Sequence, residues 1–183
     1  MPKEIVGIGA ANVDIMGESA NRLVMEDSNP GTRTVSVGGV TRNVCENTAR
    51  LGLPTRLITT VGEDMYGEKI RCWCEECGIA TDSFLTLSGK NSSSYVSIHR
   101  SDGEMAVALS DMRILQELTP ARLEPMRDKL SAAAAIVVDG CLPQETLRYI
   151  IRTYGEKVPV FADPVSTAYA RRLRPVLRGI DTL

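Results

Sequence analysis

A chain of 183 residues has room for one domain with its own hydrophobic core. Its 43% hydrophobic and 24% charged residues are ordinary for a globular protein in water, and a net charge of −2 leaves no basic excess for gripping a nucleic-acid polymer. The longest apolar run near the N-terminus, 5–11, is broken by two glycines; it is too short to cross a bilayer and lacks the layout of a signal peptide, so no membrane partner is expected and the cytoplasm is the expected location.

Taken in order, "KEIVGIGAANVD" (3–14) reads as a buried strand with a polar end. Residues 15–37 follow with mixed polarity, and "TRTVSV" (32–37) within them alternates like a half-exposed strand. "TRNVCENTARL" (41–51) reads as a helix closed by Gly52. A strand at 55–62 and a helix at 64–78 come next. Residues 93–100 and 105–110 form a hairpin around Asp102-Gly103. A helix over 119–133 starts with Thr119 as cap and Pro120 at its first position. A strand at 135–140, a helix at 143–155, a strand at 158–164 and a helix at 166–179, kinked or broken near Pro175, complete the chain. Alternating strands and helices predict an α/β fold: a mostly parallel sheet with helices on both faces. The two excursions, 15–37 and 93–110, look like exposed antiparallel strands that pair outside the core as a small β lid.

The five cysteines, three of them in "RCWCEECG" (71–78), do not form a zinc pattern. There is one C-x2-C and a single histidine, His99, and on a helix Cys72 and Cys74 point roughly 200° apart. Structural thiols and no metal site are expected. The arginines at 171, 172, 174 and 178 read as a solvated basic helix end.

The chemistry concentrates around "SVGGVTRNVCENTARLG" (36–52). Asn12 and Asp14 share a face by the two-residue period of a strand, at an edge where open α/β sheets bind ligands. Gly38-Gly39 turns into a helix and lets a ligand approach the main chain. Asn43, in that helix's first turn, can donate and accept, whereas an ionised Asp14 only accepts and can hold two neighbouring hydroxyls. Asp14, Gly39 and Asn43 therefore suit a polyhydroxylated ligand such as a ribose. A plain Gly-Gly turn and a capping Asp14 are the alternatives. Neither a phosphate-binding G-x-x-x-x-G-K-[ST] nor a complete dinucleotide fingerprint is present.

"GGVTRNVCENTARLG" resembles the first signature of the ribokinase-like (PfkB) carbohydrate kinases, and "GIGAANVD" resembles their first strand with its sugar-binding Asp. The resemblance runs through all 183 residues. It is closest to the pseudouridine kinase branch through "DSNPG" (27–31), "GGVTRN" (38–43), "NSSSY" (91–95), "SDM" (110–112) and "VPVFADPVS" (158–166). That branch is expected to have Gly where this chain has Thr41, a mild departure at a helix start.

The resemblance implies a ribokinase-like α/β/α fold and transfer of the ATP γ-phosphoryl to the 5′-hydroxyl of a ribosyl substrate. It implies Asp14, Gly38, Gly39 and Asn43 at the sugar, with Asn12 in support. Asp27, Ser28 and Asn29 would lie on the lid over a uracil edge, and Ser94 and Tyr95 would come from the second excursion. The alternatives are an ordinary Asn-Pro-Gly turn and cross-strand packing of Tyr95. Such kinases also carry an Asn-x-x-Glu motif that organises Mg2+ and a G-A-G-D segment with the catalytic base. Neither is read in residues 1–183, so no catalytic residue is assigned, the base is expected beyond Leu183, and ATP and Mg2+ are expected of a full-length parent. A truncated chain that dimerises through its lid strands is the expectation. A kinase for another nucleoside or a free sugar, and a non-catalytic ligand-binding or dimerising module, are the alternatives.

Overall fold

The computed structural model describes residues 3–183. Five strands form a wholly parallel sheet: β1 (Ile5–Ile8), β4 (Thr55–Ile58), β6 (Ile79–Ala80), β10 (Ala135–Asp139) and β11 (Val160–Asp163). Their order is β11-β10-β1-β4-β6. The pattern of side chains along β1 explains the layers. Val6 and Ile8 pack on one face with Ile136, Val138 and with Leu147 and Ile150 of α5 (Gln144–Tyr154). Leu57 of β4 packs on the other face with Cys45 of α1 (Val40–Arg50) and with Ile70 and Cys74 of α2 (Met65–Glu76). The result is a three-layer α/β/α core, as expected.

A second sheet has the order β3-β2-β8-β9, from β2 (Asn12–Ser19), β3 (Gly31–Gly38), β8 (Ser94–His99) and β9 (Met105–Asp111). Two antiparallel pairs, β2 with β3 and β8 with β9, meet along a parallel seam between β2 and β8. Alternation sorts their side chains: Asp14 and Tyr95 are directly paired and share one face, while Ile15 and Val96 are paired on the other.

Several boundaries differ from the sequence reading, each for a physical reason. The strand expected at 3–14 is two strands, because the chain leaves the core sheet after Ile8 and the Ala10 N–H turns to the carboxylate of Asp139, 2.7 Å away. Asn12 and Asp14 thus open the second sheet instead of ending the first. The strand expected at 55–62 divides at Thr59, and β5 (Thr60–Gly62) pairs with the short β7 (Leu85–Leu87). The helix expected over 119–133 breaks into α3 (Pro120–Leu123), a 3-10 turn over Glu124–Met126, and α4 (Arg127–Ser131). Pro125 lacks the N–H that a continuous helix needs there. The break expected near Pro175 is present, between α6 (Thr167–Leu173) and a 3-10 turn over Arg174–Gly179. No helix of the described residues is long and apolar enough to cross a membrane. All five cysteines are free; burial pushes the thiols of Cys45, Cys74 and Cys141 up to about 12, so they are neutral packing groups.

Candidate functional site

A cavity of about 280 Å³ lies where the end of β1, the start of β2 and the N-terminus of α1 meet. It is lined by Ala10, Asn12, Asp14, Gly39, Val40, Asn43, Tyr95, Met112, Cys141 and Val165. That size is near the lower end for small-molecule pockets and suits a single compact ligand. Of the residues singled out from the sequence, Asn12, Asp14, Gly39, Asn43 and Tyr95 come together here.

The Gly38-Gly39 turn is explained by the chain itself. Gly39 has φ +102°, and a Cβ there would come within 2.7 Å of the Ala10 carbonyl carbon and the Ala11 Cα. Gly38 is opposite Asn12 in the sheet, and a Cβ on it would come within 2.7 Å of the Asp14 carboxyl carbon. The first glycine therefore makes room for a carboxylate and the second lets α1 start against the β1–β2 bend. The expected close approach of a ligand to the main chain remains open at Gly39 alone, which lines the cavity.

Side-chain hydrogen bonds set the donor and acceptor pattern. Asn12 Nδ2 donates to Asp14 Oδ1 at 2.5 Å. Burial raises the Asp14 carboxyl above its ordinary value, and the Asn12 bond and the Arg42 charge oppose that rise. Arg42 is buried; its Nε donates to the Gly38 carbonyl at 3.0 Å, and its guanidinium also holds Glu46 and the Asn43 Oδ1. With Arg42 on its Oδ1, the Asn43 amide keeps both Nδ2 hydrogens to donate to a ligand. The site thus offers a carboxylate acceptor beside an amide donor, a pairing that matches vicinal hydroxyls.

The remaining expected residues lie elsewhere. Asp27 and Asn29 line a separate cavity with Gly17, Glu18, Thr32 and Arg33. The Asn29 side chain accepts from Val24 N at 2.8 Å and donates to Val24 O at 2.9 Å, and Asp27 Oδ1 accepts from Ser28 N at 2.7 Å, so "DSNPG" is folded as a self-bonded turn. Ser94 begins β8, opposite Val13 and Asp111, and does not line the Asp14 cavity. The Tyr95 hydroxyl donates to Met105 Sδ at 3.4 Å, a cross-strand contact made while the residue lines the cavity.

One important residue was missed. Asp139 is fully buried at the end of β10 and accepts from Ala10 N, from Thr41 Oγ1 at 2.6 Å and from Cys141 N at 2.9 Å. It ties together three segments that line the cavity, and burial raises its carboxyl. A lone acid ending the apolar run "AIVVDG" was the available signal. A second correction concerns Asn-x-x-Glu, whose letters do occur, at Asn43–Glu46. Glu46 is taken up by Arg42, Arg50 and the Trp73 indole, which donates at 3.0 Å, and it is held down to about 2, with the indole bond leading. It braces α1. Among the described residues no group of three His, Cys, Asp or Glu is placed to hold a metal ion. The arginine cluster is also more than a solvated end: Arg172 donates to the carbonyls of Cys141 at 3.0 Å and Leu142 at 3.2 Å.

The family described as "pfkB family carbohydrate kinase" matches residues 2–183. A pseudouridine kinase of Escherichia coli (strain K12) is 38% identical over 179 residues, covering 98% of this chain and 57% of its own length. A solved carbohydrate kinase from Agrobacterium tumefaciens has a TM-score of 0.90 and 30% identity, covering 98% of this chain and 59% of that one. The ribokinase of Arabidopsis thaliana, solved in complex with ribose and ATP, has a TM-score of 0.79 at 22% identity, covering 89% and 54%, and shares the fold. The chain spans a little over half the length of the pseudouridine kinase and of both solved structures.

Proposed function

The chain belongs to the pfkB family of carbohydrate kinases, and on that premise we propose that it is the substrate-holding portion of a kinase that transfers the ATP γ-phosphoryl to the 5′-hydroxyl of a ribosyl substrate, pseudouridine first. One observation carries the reading: Asn12 and Asp14 of β2, Gly39 at the cap of α1 and Asn43 in its first turn line a single cavity. In this reading Asp14 accepts from two sugar hydroxyls, Asn43 Nδ2 donates to one of them, and Asn12 keeps the Asp14 carboxylate aimed. Phosphoryl transfer depends on positioning the acceptor and stabilising phosphate charge. These residues serve the first need.

The described residues do not fit a Mg2+-nucleotide site. They hold no carboxylate cluster, and the Glu46 carboxylate is already neutralised by two arginines. ATP and Mg2+ are therefore assigned to a full-length parent, and no step is derived through them. The second sheet is assigned the role of a lid that also carries a homodimer contact, since Ile98 of β8 and Val107 and Leu109 of the edge strand β9 leave an apolar strip exposed. Five free thiols accord with a reducing, cytoplasmic setting. A base-reading role for Asp27, Ser28 and Asn29 requires Asn29 to release Val24. Their separation from the Asp14 cavity favours a second reading, a kinase for another nucleoside or a free sugar, in which only ribosyl hydroxyls are recognised.

The test is phosphorus NMR on pseudouridine, uridine and ribose incubated with ATP and the kinase that contains these residues. A 5′-phosphate on pseudouridine is expected; a product only on ribose would select the second reading, and no product on any of the three would overturn the proposal. Sequencing the gene past the Leu183 codon adds a second check. A reading frame containing a G-A-G-D segment supports the kinase, and a stop codon favours a ligand-binding module.

A further inference from the structure

Two motifs, "SDM" (110–112) and "VPVFADPVS" (158–166), have no part in the sugar-binding set, yet each sends one apolar side chain into the same cavity: Met112 and Val165. Val165 has φ +63°. A β-branched side chain in the left-handed region is a genuine outlier, and such strain persists only where the surroundings over-determine it.

The surroundings do so. Pro164 fixes the preceding residue, and Asp163 Oδ1 accepts from Val165 N at 2.7 Å. Ser166 N donates to the Pro164 carbonyl at 2.6 Å, and the Ser166 hydroxyl caps α6 by accepting from Tyr169 N at 3.4 Å. On the other side, Gly140 N donates to the Asp163 carbonyl at 2.9 Å. The Arg172 guanidinium sits 4.9 Å over the Tyr169 ring while it holds the Cys141 and Leu142 carbonyls. The loop is locked to α6 and to the turn after β10, so its backbone cannot relax.

Stability does not account for valine here. Glycine would adopt the same backbone without strain, and Val165 is 37% exposed and belongs to none of the buried hydrophobic clusters. What the isopropyl group does have is a place on the cavity wall beside Met112, Cys141 and Ala10. We infer that Val165 is a specificity-determining residue: with Met112 it forms the apolar wall of the cavity and favours a ribosyl ligand bearing a flat ring over free ribose. The inference rests on the ribosyl-site reading above and deepens it.

The test measures binding by calorimetry, with pseudouridine and ribose as probes, to the kinase that contains these residues, taken as the parent, and to its Val165→Gly and Val165→Asn variants, alongside their melting midpoints. Asparagine tolerates the left-handed region and so guards against a fold-specific effect of glycine. Expected are a loss of about tenfold in pseudouridine affinity, the scale for deleting apolar groups from a pocket, unchanged ribose affinity, and midpoints at or above that of the parent. If the parent binds neither probe, the ribosyl-site reading fails and this inference with it. If the parent binds pseudouridine and the variants match it, or lose both probes equally, the inference alone is overturned. Midpoints that fall together with affinity in both variants would make Val165 a packing residue and also overturn it.

Discussion

Adjacent glycines at 38 and 39 should respond to the same substitution in opposite ways. Alanine at Gly39 meets backbone: the residue sits at φ +102°, and the new Cβ would come within 2.7 Å of the Ala10 carbonyl carbon and the Ala11 Cα. That carbonyl also accepts from Arg42 N at 3.2 Å, so moving away disturbs the first turn of α1. The backbone strain costs about 1–3 kcal/mol. The clash adds to it, and the reduced freedom of the unfolded chain returns about 0.4–1 kcal/mol. A net loss of about 2–3 kcal/mol lowers the melting midpoint by roughly 5–10 °C for a domain of this size. Alanine at Gly38 meets a side chain instead, the Asp14 carboxyl, which can rotate away. Gly38→Ala should therefore melt close to the parent while losing affinity for pseudouridine. Differential scanning calorimetry and a ligand titration on both variants decide the matter. A Gly39→Ala midpoint within 2 °C of the parent (roughly 1 kcal/mol or less), or equal destabilisation by both changes, would refute the reasoning.

Asp139→Asn replaces a buried acceptor of three hydrogen bonds with a group that must aim a donor at a donor, and should cost about 1–3 kcal/mol; urea denaturation should show a lower midpoint with an unchanged slope. Glu46 has a carboxyl held below its ordinary 4.5, at about 2, so its ionised form stabilises the fold. That contribution is complete above pH 4.5 and is lost as pH falls toward 2; urea midpoints from pH 5 down to 2.5 should drop more steeply for the parent than for Glu46→Gln, and parallel curves would count against the brace. Light scattering at micromolar concentration should report a dimer that Leu109→Lys converts to a monomer, whereas a monomeric parent would remove the proposed role of the exposed strip of Val107 and Leu109.

The core was legible because its signals are local. Apolar runs at 5–8, 135–139 and 160–163 are too short for buried helices, and glycines and prolines mark their ends. Asn12 and Asp14 were found to share a face for the right reason, strand alternation, although the strand belongs to the second sheet. What defeated the reading were long-range contacts. Nothing near Gly9 announces that Ala10 N will bond to Asp139, 129 positions away, and that bond is what ends β1. The role of Arg42 is likewise hidden, since an arginine in a helix's first turn reads as surface until the Gly38 carbonyl and Glu46 enclose it. Val165 is a different case: its positive φ is held by neighbours, Asp163 Oδ1 accepting from Val165 N and Ser166 N donating to the Pro164 carbonyl, and a valine after Asp-Pro gives no compositional sign of a left-handed backbone.

The central claim is that Asp14 and Asn43 grip the hydroxyls of a ribosyl ligand. Calorimetric titration of pseudouridine into the parent chain and into Asp14→Ala and Asn43→Ala tests it most directly. Leaving a polar partner unpaired costs about 1–3 kcal/mol, more for a charged group, which is roughly a 5- to 150-fold loss in affinity. Asp14→Ala should lie at the upper end and Asn43→Ala at the lower, with the folded midpoint of each within a few degrees of the parent. Parent-like affinity in Asp14→Ala would mean that the Gly38-Gly39 turn serves only to start a helix and that the cavity beside it holds no sugar.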